Sequence, residues 1–211
     1  MSIVSFISDG ESVIDIGCDH GLLDVYLTVN KNCSCSACDV NKDIIDRAYN
    51  NFLKYEVLSR INLFVGNGFD DLKINDNQTI ILAGMGTSTM LKILKANKSN
   101  KIICQTNTDL YDLRYGVCSM GYYINREDIV FDNNRYYVTV EFLKGNSNYS
   151  YDEYLLGPVL LKNNSDLFNK YVKKMYDKNI KGYNKAKEFN SDLVSFDRMM
   201  NSLEKYIKSQ S

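Results

Sequence analysis

The chain has 211 residues, of which 45% are hydrophobic and 24% are charged. These proportions are those of ordinary globular proteins, so they exclude a fibrous or intrinsically disordered chain. The 25 basic and 26 acidic residues leave a formal net charge of -1, so nucleic-acid binding would have to come from a local basic patch rather than from the whole surface. The length is sufficient for one full domain and an appendage.

The N-terminus and the cysteines indicate the cellular compartment. Residues 1–10 contain neither a basic segment nor a long apolar run, and no stretch of about 18 apolar residues occurs in the chain. We therefore expect a cytoplasmic protein without a membrane span, and nothing in the sequence implies an obligate protein partner. Without a secretory signal, the six cysteines are predicted to be reduced thiols.

Three of these cysteines raise the question of a metal site. Cys33, Cys35 and Cys38 are close enough in sequence to suggest zinc, but no convincing fourth ligand accompanies them. They also lie in a predicted buried strand, where thiols usually pack as small apolar groups. We therefore predict no metal site.

Short apolar segments alternate with segments of helical spacing as far as about residue 144. The predicted strands are residues 12–16, 33–38, 61–65, 79–83, 101–105, 122–131 and 135–143. Helical spacing occurs at residues 20–29, 42–58 and 88–96, with a brief segment after Gly68. Strands separated by helices predict a parallel sheet, whereas the turn-rich residues 132–134 predict an antiparallel hairpin of the last two strands. This combination is typical of class I methyltransferases, which is a fold-level analogy.

The composition changes beyond residue 144. Residues 145–150 are polar, residues 156–161 contain the only proline, and two helical patterns follow at residues 165–188 and 192–208. The apolar residues of the second pattern recur at alternating steps of three and four, which is a heptad seam. These residues are Leu193, Phe196, Met200, Leu203 and Ile207.

These patterns predict an antiparallel two-helix coiled-coil arm. Ser191 or Asp192 is placed to cap its second helix. The alternative is that both helices lie flat on the sheet, because short heptad runs are common in globular proteins. We divide the chain into a Rossmann-like domain at residues 1–150 and a linker with a helical arm at residues 151–211.

The strongest local signal is the sequence VIDIGCDHG at residues 13–21. It places an apolar strand before Asp15, Gly17 and Gly21, which are followed by a predicted helix. The glycines would let the backbone approach a ligand, and the helix N-terminus offers unbonded N–H groups. An ordinary strand-to-helix turn is the alternative. We expect His20, the only histidine, to position a ligand or the turn rather than to act as a general base, since no nucleophile motif accompanies it.

Two further residues favour a nucleoside site. Asp39 ends the second predicted strand, about 20 residues after the glycine turn, where a carboxylate can hydrogen-bond both hydroxyls of a ribose. Asn67 lies between Gly66 and Gly68 after the third strand, where it could reach the edge of an adenine. Because the glycine turn and these residues all follow strands, we expect them to share one rim of the sheet.

The fourth and fifth strands end in residues that could line the same rim. Gly84 and Gly86 flank Met85 and would leave open backbone beside a ligand, although another strand-to-helix turn explains these glycines equally well. Gln105 and Asn107 follow the fifth strand and carry amide groups suited to a base edge. A polar loop is the alternative for this segment.

The net charge is unevenly distributed along the chain. Residues 1–161 contain 14 basic and 20 acidic residues, a charge of -6, whereas residues 162–211 contain 11 basic and 6 acidic residues, a charge of +5. Lysines interleaved with tyrosines crowd the first helix of the arm, which suits contact with a phosphate backbone, although a solvated lysine face is the ordinary alternative. The candidate RNA-binding residues are Lys170, Lys173, Lys174, Lys178, Lys181 and Lys185.

Together these motifs resemble the bacterial TrmK family of tRNA (adenine-N1)-methyltransferases, which act on adenine 22 of tRNA. The motifs concerned are DIGCDHG at 15–21, GNG at 66–68, AGMG at 83–86, QTN at 105–107 and LGPVLL at 156–161. Their order and spacing resemble the family's over nearly the whole chain. The chain departs from the family in its short segment before the first strand, in Thr87 where a glycine is usual, and in Asp39 where a glutamate is frequent.

The resemblance implies a class I, Rossmann-like α/β fold with a seven-stranded mixed sheet and S-adenosyl-L-methionine as methyl donor to N1 of adenine 22 in tRNA. We expect catalytic roles for Asp19, whose carboxylate could favour the cationic product, and for Asn107, whose amide lies on the rim suited to reading the base edge. A non-catalytic RNA- or nucleoside-binding protein and a small-molecule methyltransferase are the alternatives. The residues expected around the cofactor are Asp15, Gly17, Asp19, His20, Gly21, Asp39, Asn67, Gly68, Gly84, Met85 and Gly86.

Overall fold

A single sheet forms the centre of the molecule, for which a computed structural model describes residues 2–66, 68, 74–188 and 193–210. The sheet has seven strands in the order β3-β2-β1-β4-β5-β7-β6. The strands are β1 (Ser12–Ile16), β2 (Ser34–Asp39), β3 (Ile61–Val65), β4 (Gln78–Met85), β5 (Lys101–Thr106), β6 (Tyr122–Asp132) and β7 (Arg135–Lys144).

The strand directions agree with the sequence-based prediction. β1 to β5 are parallel to one another, whereas β7 is antiparallel to both β5 and β6. The predicted seven-stranded mixed sheet and α/β class are confirmed, and each predicted strand end lies within about two residues of the observed one. The order reverses between β1 and β4, which is where open α/β sheets of this kind bind ligands.

Helices cover both faces of the sheet. They are α1 (Ser2–Ser5), α2 (Leu22–Lys31), α3 (Lys42–Lys54), α4 (Thr87–Leu94), α5 (Leu110–Ser119), α6 (Tyr151–Leu156), α7 (Pro158–Asn163), α8 (Asp166–Glu188) and α9 (Val194–Ser209). Within the described ranges, none of the helices has the length and hydropathy that crossing a membrane requires.

Some helices differ from the prediction. The predicted helix at residues 42–58 is wrong at its end, because Glu56 adopts a left-handed φ of 57° and the chain continues into a short 3-10 turn at Leu58–Arg60. α5 was not predicted, although Asp109 caps it by accepting a hydrogen bond of 2.9 Å from the Asp112 N–H. α1, α6 and α7 were not predicted either, since each is too short to show a helical period.

Two predictions concern residues outside the described ranges. They are the brief helix after Gly68 and the capping role of Ser191 or Asp192. The division of the chain into residues 1–150 and 151–211 stays a prediction.

Alternate residues of the central strands enter two separate cores. Ile80 of β4 and Ile102 of β5 pack in one core with α4, α5 and the helices that follow the sheet. Their neighbours Ile81 and Ile103 pack in the other core, with α2 and α3. Since the strands are buried on both faces, their sequences are nearly continuous apolar runs.

α8 and α9 form the predicted antiparallel hairpin. Phe168 near the start of α8 contacts Tyr206 near the end of α9, with ring centroids 5.5 Å apart. Tyr183 near the end of α8 contacts Phe196 near the start of α9, with ring centroids 5.2 Å apart. The coiled-coil geometry stays a prediction.

The base of this hairpin also packs on the sheet. Phe168 and Val172 of α8, and Met200 and Leu203 of α9, are buried in the same core as Val140 of β7. The structure thus combines the predicted hairpin with part of the alternative, in which the helices lie on the sheet. A deletion of the arm would therefore expose the core beneath it, and point variants are the better test of its function.

A buried ion pair attaches the arm to the sheet. Nε of Arg114 in α5 lies 2.8 Å from Oε1 of Glu127 in β6, and both side chains are 0% exposed. Arg114 also donates hydrogen bonds to two carbonyl oxygens of α6, at 3.0 and 2.9 Å. Glu127 accepts hydrogen bonds from two N–H groups of α7, at 2.9 and 3.3 Å. Gly157 joins these helices with a φ of 95°, and a Cβ there would lie 2.6 Å from either carboxylate oxygen of Glu127.

We predict that Arg114→Met lowers the free energy of unfolding by about 3–5 kcal/mol, because it leaves the Glu127 charge buried without its cationic partner. Glu127→Leu should cost a similar amount for the converse reason. The double variant should lose clearly less than the sum of the two, since it removes both buried charges. Urea denaturation measures all three, and strictly additive losses would contradict the assignment of this pair as the anchor.

Candidate functional site

The candidate site lies along the rim formed by the carboxyl ends of β1, β2, β4 and β5. The parallel register pairs Ile16 of β1 with Cys38 of β2 and Leu82 of β4, so the segments that follow these strands are neighbours. Asn67 lies outside the described residues. The predicted site residues that lie at these strand ends are Gly17, Asp19, His20, Asp39, Gly84, Met85, Gly86 and Asn107.

The turn between β1 and α2 is tied to the end of β2. The N–H groups of Gly17 and Cys18 both donate to the carbonyl oxygen of Cys38, at 2.8 and 3.1 Å. Gly17 and Asp19 have left-handed φ values of 78° and 51°, so the backbone curls at this point. The N–H groups of Asp19 and His20 form no hydrogen bond with another described residue. Unbonded N–H groups in a curled backbone before a helix are suited to an anionic group.

Gly21 has a packing role in this turn. It is buried, it has a φ of 68°, and a Cβ at this position would collide with the ring of Phe52 in α3. The neighbouring Asn51 of α3 donates a 2.9 Å hydrogen bond to the carbonyl oxygen of His20. The turn therefore packs directly on α3. Gly68, by contrast, is buried against Ile93 of α4, whose Cγ2 would lie 3.1 Å from a Cβ at this position.

The side chains of Asp19 and His20 stand at the mouth of the turn. They are 71% and 44% exposed, and Nε2 of His20 lies 3.6 Å from Oδ1 of Asp19. Both side chains are therefore accessible to a ligand that enters the turn from solvent.

Two buried carboxyl groups lie beneath the turn. Asp15 of β1 is 4% exposed and Asp24 of α2 is 0% exposed. Burial raises the pKa of Asp15 to about 7. The hydrogen bond with Asp24 opposes this rise, whereas the charge of Asp39 adds to it. Burial, followed by the charge of Asp15, raises the pKa of Asp24 well above its ordinary value. In the described part of the chain, no cation pairs with the Asp24 oxygens and no donor reaches them except the Asp15 carboxyl and the N–H of Asp24 itself, so this pair retains a proton close to neutral pH.

The charge of Asp39, together with that of Asp15 as it ionises near neutral pH, gives the turn a negative potential. Burial raises the pKa of the adjacent Cys18 thiol, and the charges of Asp15, Asp24 and Asp39 raise it further. The thiol thus stays protonated and is a poor nucleophile. A cationic ligand is favoured at such a site.

Asp39 is held in place at the end of β2. It is half-buried, and its Oδ1 accepts a 2.9 Å hydrogen bond from the N–H of Asn41. Asn41 in turn caps α3 by accepting a hydrogen bond from the N–H of Asp43. The start of α3 thus fixes the carboxylate on the rim.

The end of β4 leaves open space beside the turn. Gly84 is exposed and has a φ of 74°, and a Cβ at this position would have no atom within 4 Å. The side chain of Met85 packs on the glycine turn, since a Cβ on Gly17 would lie 2.6 Å from its Cε. The backbone at Gly84 is thus accessible to a ligand, whereas Met85 closes one side of the turn.

A network of threonine hydroxyls joins the ends of β4 and β5. Oγ1 of Thr87 lies 2.9 Å from Oγ1 of Thr106, accepts a 3.1 Å hydrogen bond from Thr108 and donates one of 2.7 Å to the carbonyl oxygen of Asp109. Sequence reasoning noted Thr87 only as a departure from the family and missed this network. The Thr-x-Thr sequence at residues 106 and 108 is the signal that could have indicated it.

Asn107 is fixed across the gap between the two strands. Its N–H donates a 3.0 Å hydrogen bond to the carbonyl oxygen of Met85, and its side-chain Nδ2 donates to the carbonyl oxygen of Gly84. Because a carbonyl can only accept, these contacts determine which end of the amide is the nitrogen. Oδ1 lies 3.4 Å from Nε2 of Gln105 and retains capacity to accept a second hydrogen bond.

The predicted lysines lie on the arm rather than around the glycine turn. Lys173 forms an ion pair of 3.9 Å with Asp177 and lies on a different side of α8 from the other five lysines. The other five are exposed and recur at steps of 4, 4, 3 and 4 residues, which places them within an arc of about 80° on one face of α8. These five residues, here called the lysine stripe, are Lys170, Lys174, Lys178, Lys181 and Lys185.

The cysteines and acidic residues do not assemble a metal site in the described ranges. All six cysteines are buried. No group of three His, Cys, Asp or Glu residues in these ranges could hold a metal ion.

We predict that Asp24→Asn weakens the dependence of stability on pH. Between about pH 4 and 7 the native pair retains protons that the unfolded chain has released, so the free energy of unfolding falls as pH rises through this window. The amide can donate to an ionised Asp15 and lower its pKa. The variant should therefore lose about 1 to 3 kcal/mol less than the wild type between about pH 5 and 8.

Urea denaturation at these two pH values measures the difference. Asp43→Asn changes an exposed carboxylate of α3 and is the matched control, so it should retain the pH dependence of the wild type. Equal pH dependence in Asp24→Asn and the wild type would show that the buried pair does not control this property.

Comparison with known proteins assigns a family to this fold. The methyltransferase-domain family matches residues 1–140. The protein MG248 of Mycoplasma genitalium, provisionally named a tRNA methyltransferase, is 31% identical over 156 residues, which cover 71% of this chain and 70% of that protein. The tRNA (adenine(22)-N(1))-methyltransferase of Bacillus subtilis is 25% identical over 181 residues, which cover 80% of this chain and 76% of that enzyme.

The fold likeness extends over the arm. The structure of M. capricolum TrmK in complex with S-adenosyl-homocysteine superposes with a TM-score of 0.86 and 24% identity, covering 98% of this chain and 95% of that one. The domain match spans more than half of the chain, and the relationship to MG248 spans more than two thirds of both proteins. The chain therefore belongs to the methyltransferase-domain family and, within it, to the family of MG248.

Proposed function

We propose that this protein transfers a methyl group from S-adenosylmethionine to N1 of adenine 22 in tRNA. The reaction is that named for the Bacillus subtilis relative. Since the proposed substrate is tRNA, we also propose that the protein acts in the cytoplasm.

The observation that carries the proposal is that the resemblance includes the arm. The methyltransferase-domain match ends at residue 140, whereas the match to the TrmK structure covers 98% of the chain. A methyltransferase of small molecules has no need of a basic two-helix arm beside its site. The arm therefore favours a nucleic-acid substrate over a small metabolite.

The glycine turn fits the methionine part of the cofactor. The unbonded N–H groups of Asp19 and His20 suit its carboxylate. The charge of Asp39, together with that of Asp15 once it is ionised, suits its ammonium group and its sulfonium. When bound, S-adenosylmethionine supplies an electrophilic methyl group, which a neutral nitrogen with an in-plane lone pair can attack without the help of a base.

The end of β2 fits the nucleoside part. Asp39 presents a fixed carboxylate on the rim, at the position where acidic residues of this fold class accept hydrogen bonds from ribose hydroxyls. Only Oδ1 is used by Asn41, so the carboxylate can accept further hydrogen bonds.

Asn107 is placed to orient the acceptor adenine. Its Oδ1 can accept a hydrogen bond from the exocyclic amino group, which lies next to N1 on the base edge. Its Nδ2 is already bonded to Gly84, so the side chain need not be ordered again when the base enters. The threonine network of Thr87, Thr106 and Thr108 keeps this rim rigid.

The chemistry requires orientation more than proton transfer. N1 of adenine is neutral at pH 7, so no strong base is needed, and alignment of the reacting groups can supply several kcal/mol. The methylated base is cationic, and the exposed carboxylate of Asp19 at the mouth of the turn can stabilise that charge. The lysine stripe of α8 would bind the phosphate backbone.

Labelled S-adenosylmethionine and unmodified tRNA test the proposal directly. We expect label on wild-type tRNA, mapped to adenine 22, and none on a transcript with guanine at that position. Cofactor binding without transfer would favour the non-catalytic alternative. Label on small metabolites alone would favour the small-molecule alternative.

We predict that Asn107→Ala lowers kcat with tRNA by about 10- to 100-fold, the loss expected from one positioning hydrogen bond. Its Kd for S-adenosylmethionine should stay within about twofold of the wild type, because Asn107 is assigned to the base and not to the cofactor. Asn107→Asp should also be slow, since its carboxylate would face the carbonyl oxygen of Gly84.

Asp39→Asn is the matched contrast. The amide keeps an oxygen for the Asn41 N–H but loses the charge, so we expect a higher Kd for S-adenosylmethionine, measured by calorimetry. If Asn107→Ala raises the Kd for S-adenosylmethionine and Asp39→Asn does not, the assignments of these two residues are wrong.

A further inference from the structure

A groove connects the end of β5, where Gln105 and Asn107 carry their amide groups, with the helical arm. It has a volume of about 1560 Å³ and is bounded by the segment after β5, the turn between β6 and β7, and the facing sides of α8 and α9. One end of its lining is formed by Gln105, Asn107 and Asp109, where Asn107 is assigned to the acceptor base. The other end includes Lys174 and Lys178, which belong to the lysine stripe of α8.

The size of the groove indicates a large ligand. Sites for small molecules usually measure about 300–1,000 Å³, so this groove exceeds what a single metabolite would fill. Because it begins at Asn107 and ends at the arm, it could hold a chain of several nucleotides.

Cations from three different elements converge on this groove. Arg135 comes from the start of β7, Lys174 and Lys178 come from α8, and Arg198 comes from α9. All four side chains are exposed, and none forms an ion pair with a carboxylate of the described residues. Their charges are thus available to the phosphates of a ligand.

Arg198 also offers a flat surface. Its guanidinium lies 4.0 Å from the ring centroid of Tyr151, and the ring of Tyr111 lies 5.0 Å from Tyr151. Tyr151 therefore covers one face of the Arg198 guanidinium and is itself packed on Tyr111, while Arg198 as a whole remains exposed. An arginine plane supported in this way is a common stacking surface for unpaired bases of RNA.

We propose that this groove binds the RNA strand that carries the acceptor adenine, with Arg135 contacting the backbone and Arg198 stacking on a neighbouring base. The inference rests on the proposed function and adds two residues that lie outside the lysine stripe. The methyl acceptor would then lie at the Asn107 end, and its flanking nucleotides would run towards α8.

Binding of an unmodified tRNA transcript to the full-length protein tests the groove. Arg135→Gln and Arg198→Gln should each raise the Kd about fivefold at low salt. Arg135→Gln should also reduce the slope of log Kd against log salt by roughly 0.7 to 0.9, as expected for one lost phosphate contact, whereas Arg198→Gln loses a stacking contact and should keep a slope close to that of the wild type. Arg47→Gln is the matched control, since Arg47 is exposed on α3, on the opposite face of the sheet, and should bind like the wild type.

Lysine substitutions separate the two proposed roles. Arg135→Lys keeps a charge for a phosphate and should stay within about twofold of the wild-type Kd. Arg198→Lys keeps the charge but loses the plane, so its Kd should rise about as much as that of Arg198→Gln. The midpoints of urea unfolding of Arg198→Lys and Arg198→Gln show whether loss of the Arg198–Tyr151 contact has lowered stability instead.

The outcomes distinguish this inference from the proposed function. If Arg135→Gln has the Kd and salt slope of Arg47→Gln, and Arg198→Gln has its Kd, the groove is not the path of the RNA, even if the wild type methylates tRNA. If the groove variants weaken tRNA binding but the wild type transfers no methyl group, the proposed reaction fails and the groove assignment stands. A wild-type Kd for Arg198→Lys would overturn the stacking role.

Discussion

The buried pair of Arg114 and Glu127 fixes the geometry on which the rest of the molecule depends. The pair links α5 and β6 to the backbone of α6 and α7 through charge-assisted hydrogen bonds. These bonds set the direction in which the chain leaves the sheet, and hence the position of α8 and α9. Without this attachment, α8 and α9 could move relative to the sheet, and the groove between Asn107 and the arm would have no fixed width. This attachment is stable only while both charges are present, because either charge alone would be costly to bury.

Much of the fold could be predicted because its strands are regular. Buried parallel strands are short apolar runs, and all seven were located, with the final hairpin indicated by residues 132–134. The helices were harder to predict, because local signals compete with tertiary contacts. α5 was missed despite its cap at Asp109, and α6 and α7 form where Arg114 and Glu127 satisfy their backbone groups.

The site could be predicted in its outline but not in its buried chemistry. Glycine spacing and the position of Asp39 indicated the rim, because strand ends meet there whatever the details of packing. Asp24 carried no such signal, since an acidic residue in the first turn of a helix ordinarily favours the helix and faces solvent. Only the fold shows that it faces Asp15. The threonine network likewise depends on contacts between residues about 20 positions apart.

The division of charge also constrains how RNA can approach the site. The acidic turn that suits a cationic cofactor repels phosphates, and at about 0.1 M salt this repulsion extends for roughly 10 Å. A backbone held along the lysine stripe would remain at the other end of the groove, and only an uncharged base would need to reach Asn107 and the turn. An adenine extruded from the tRNA fits this arrangement, because extrusion separates the base from its phosphates. The separation of negative turn and positive arm would thus favour entry of the base over entry of the backbone.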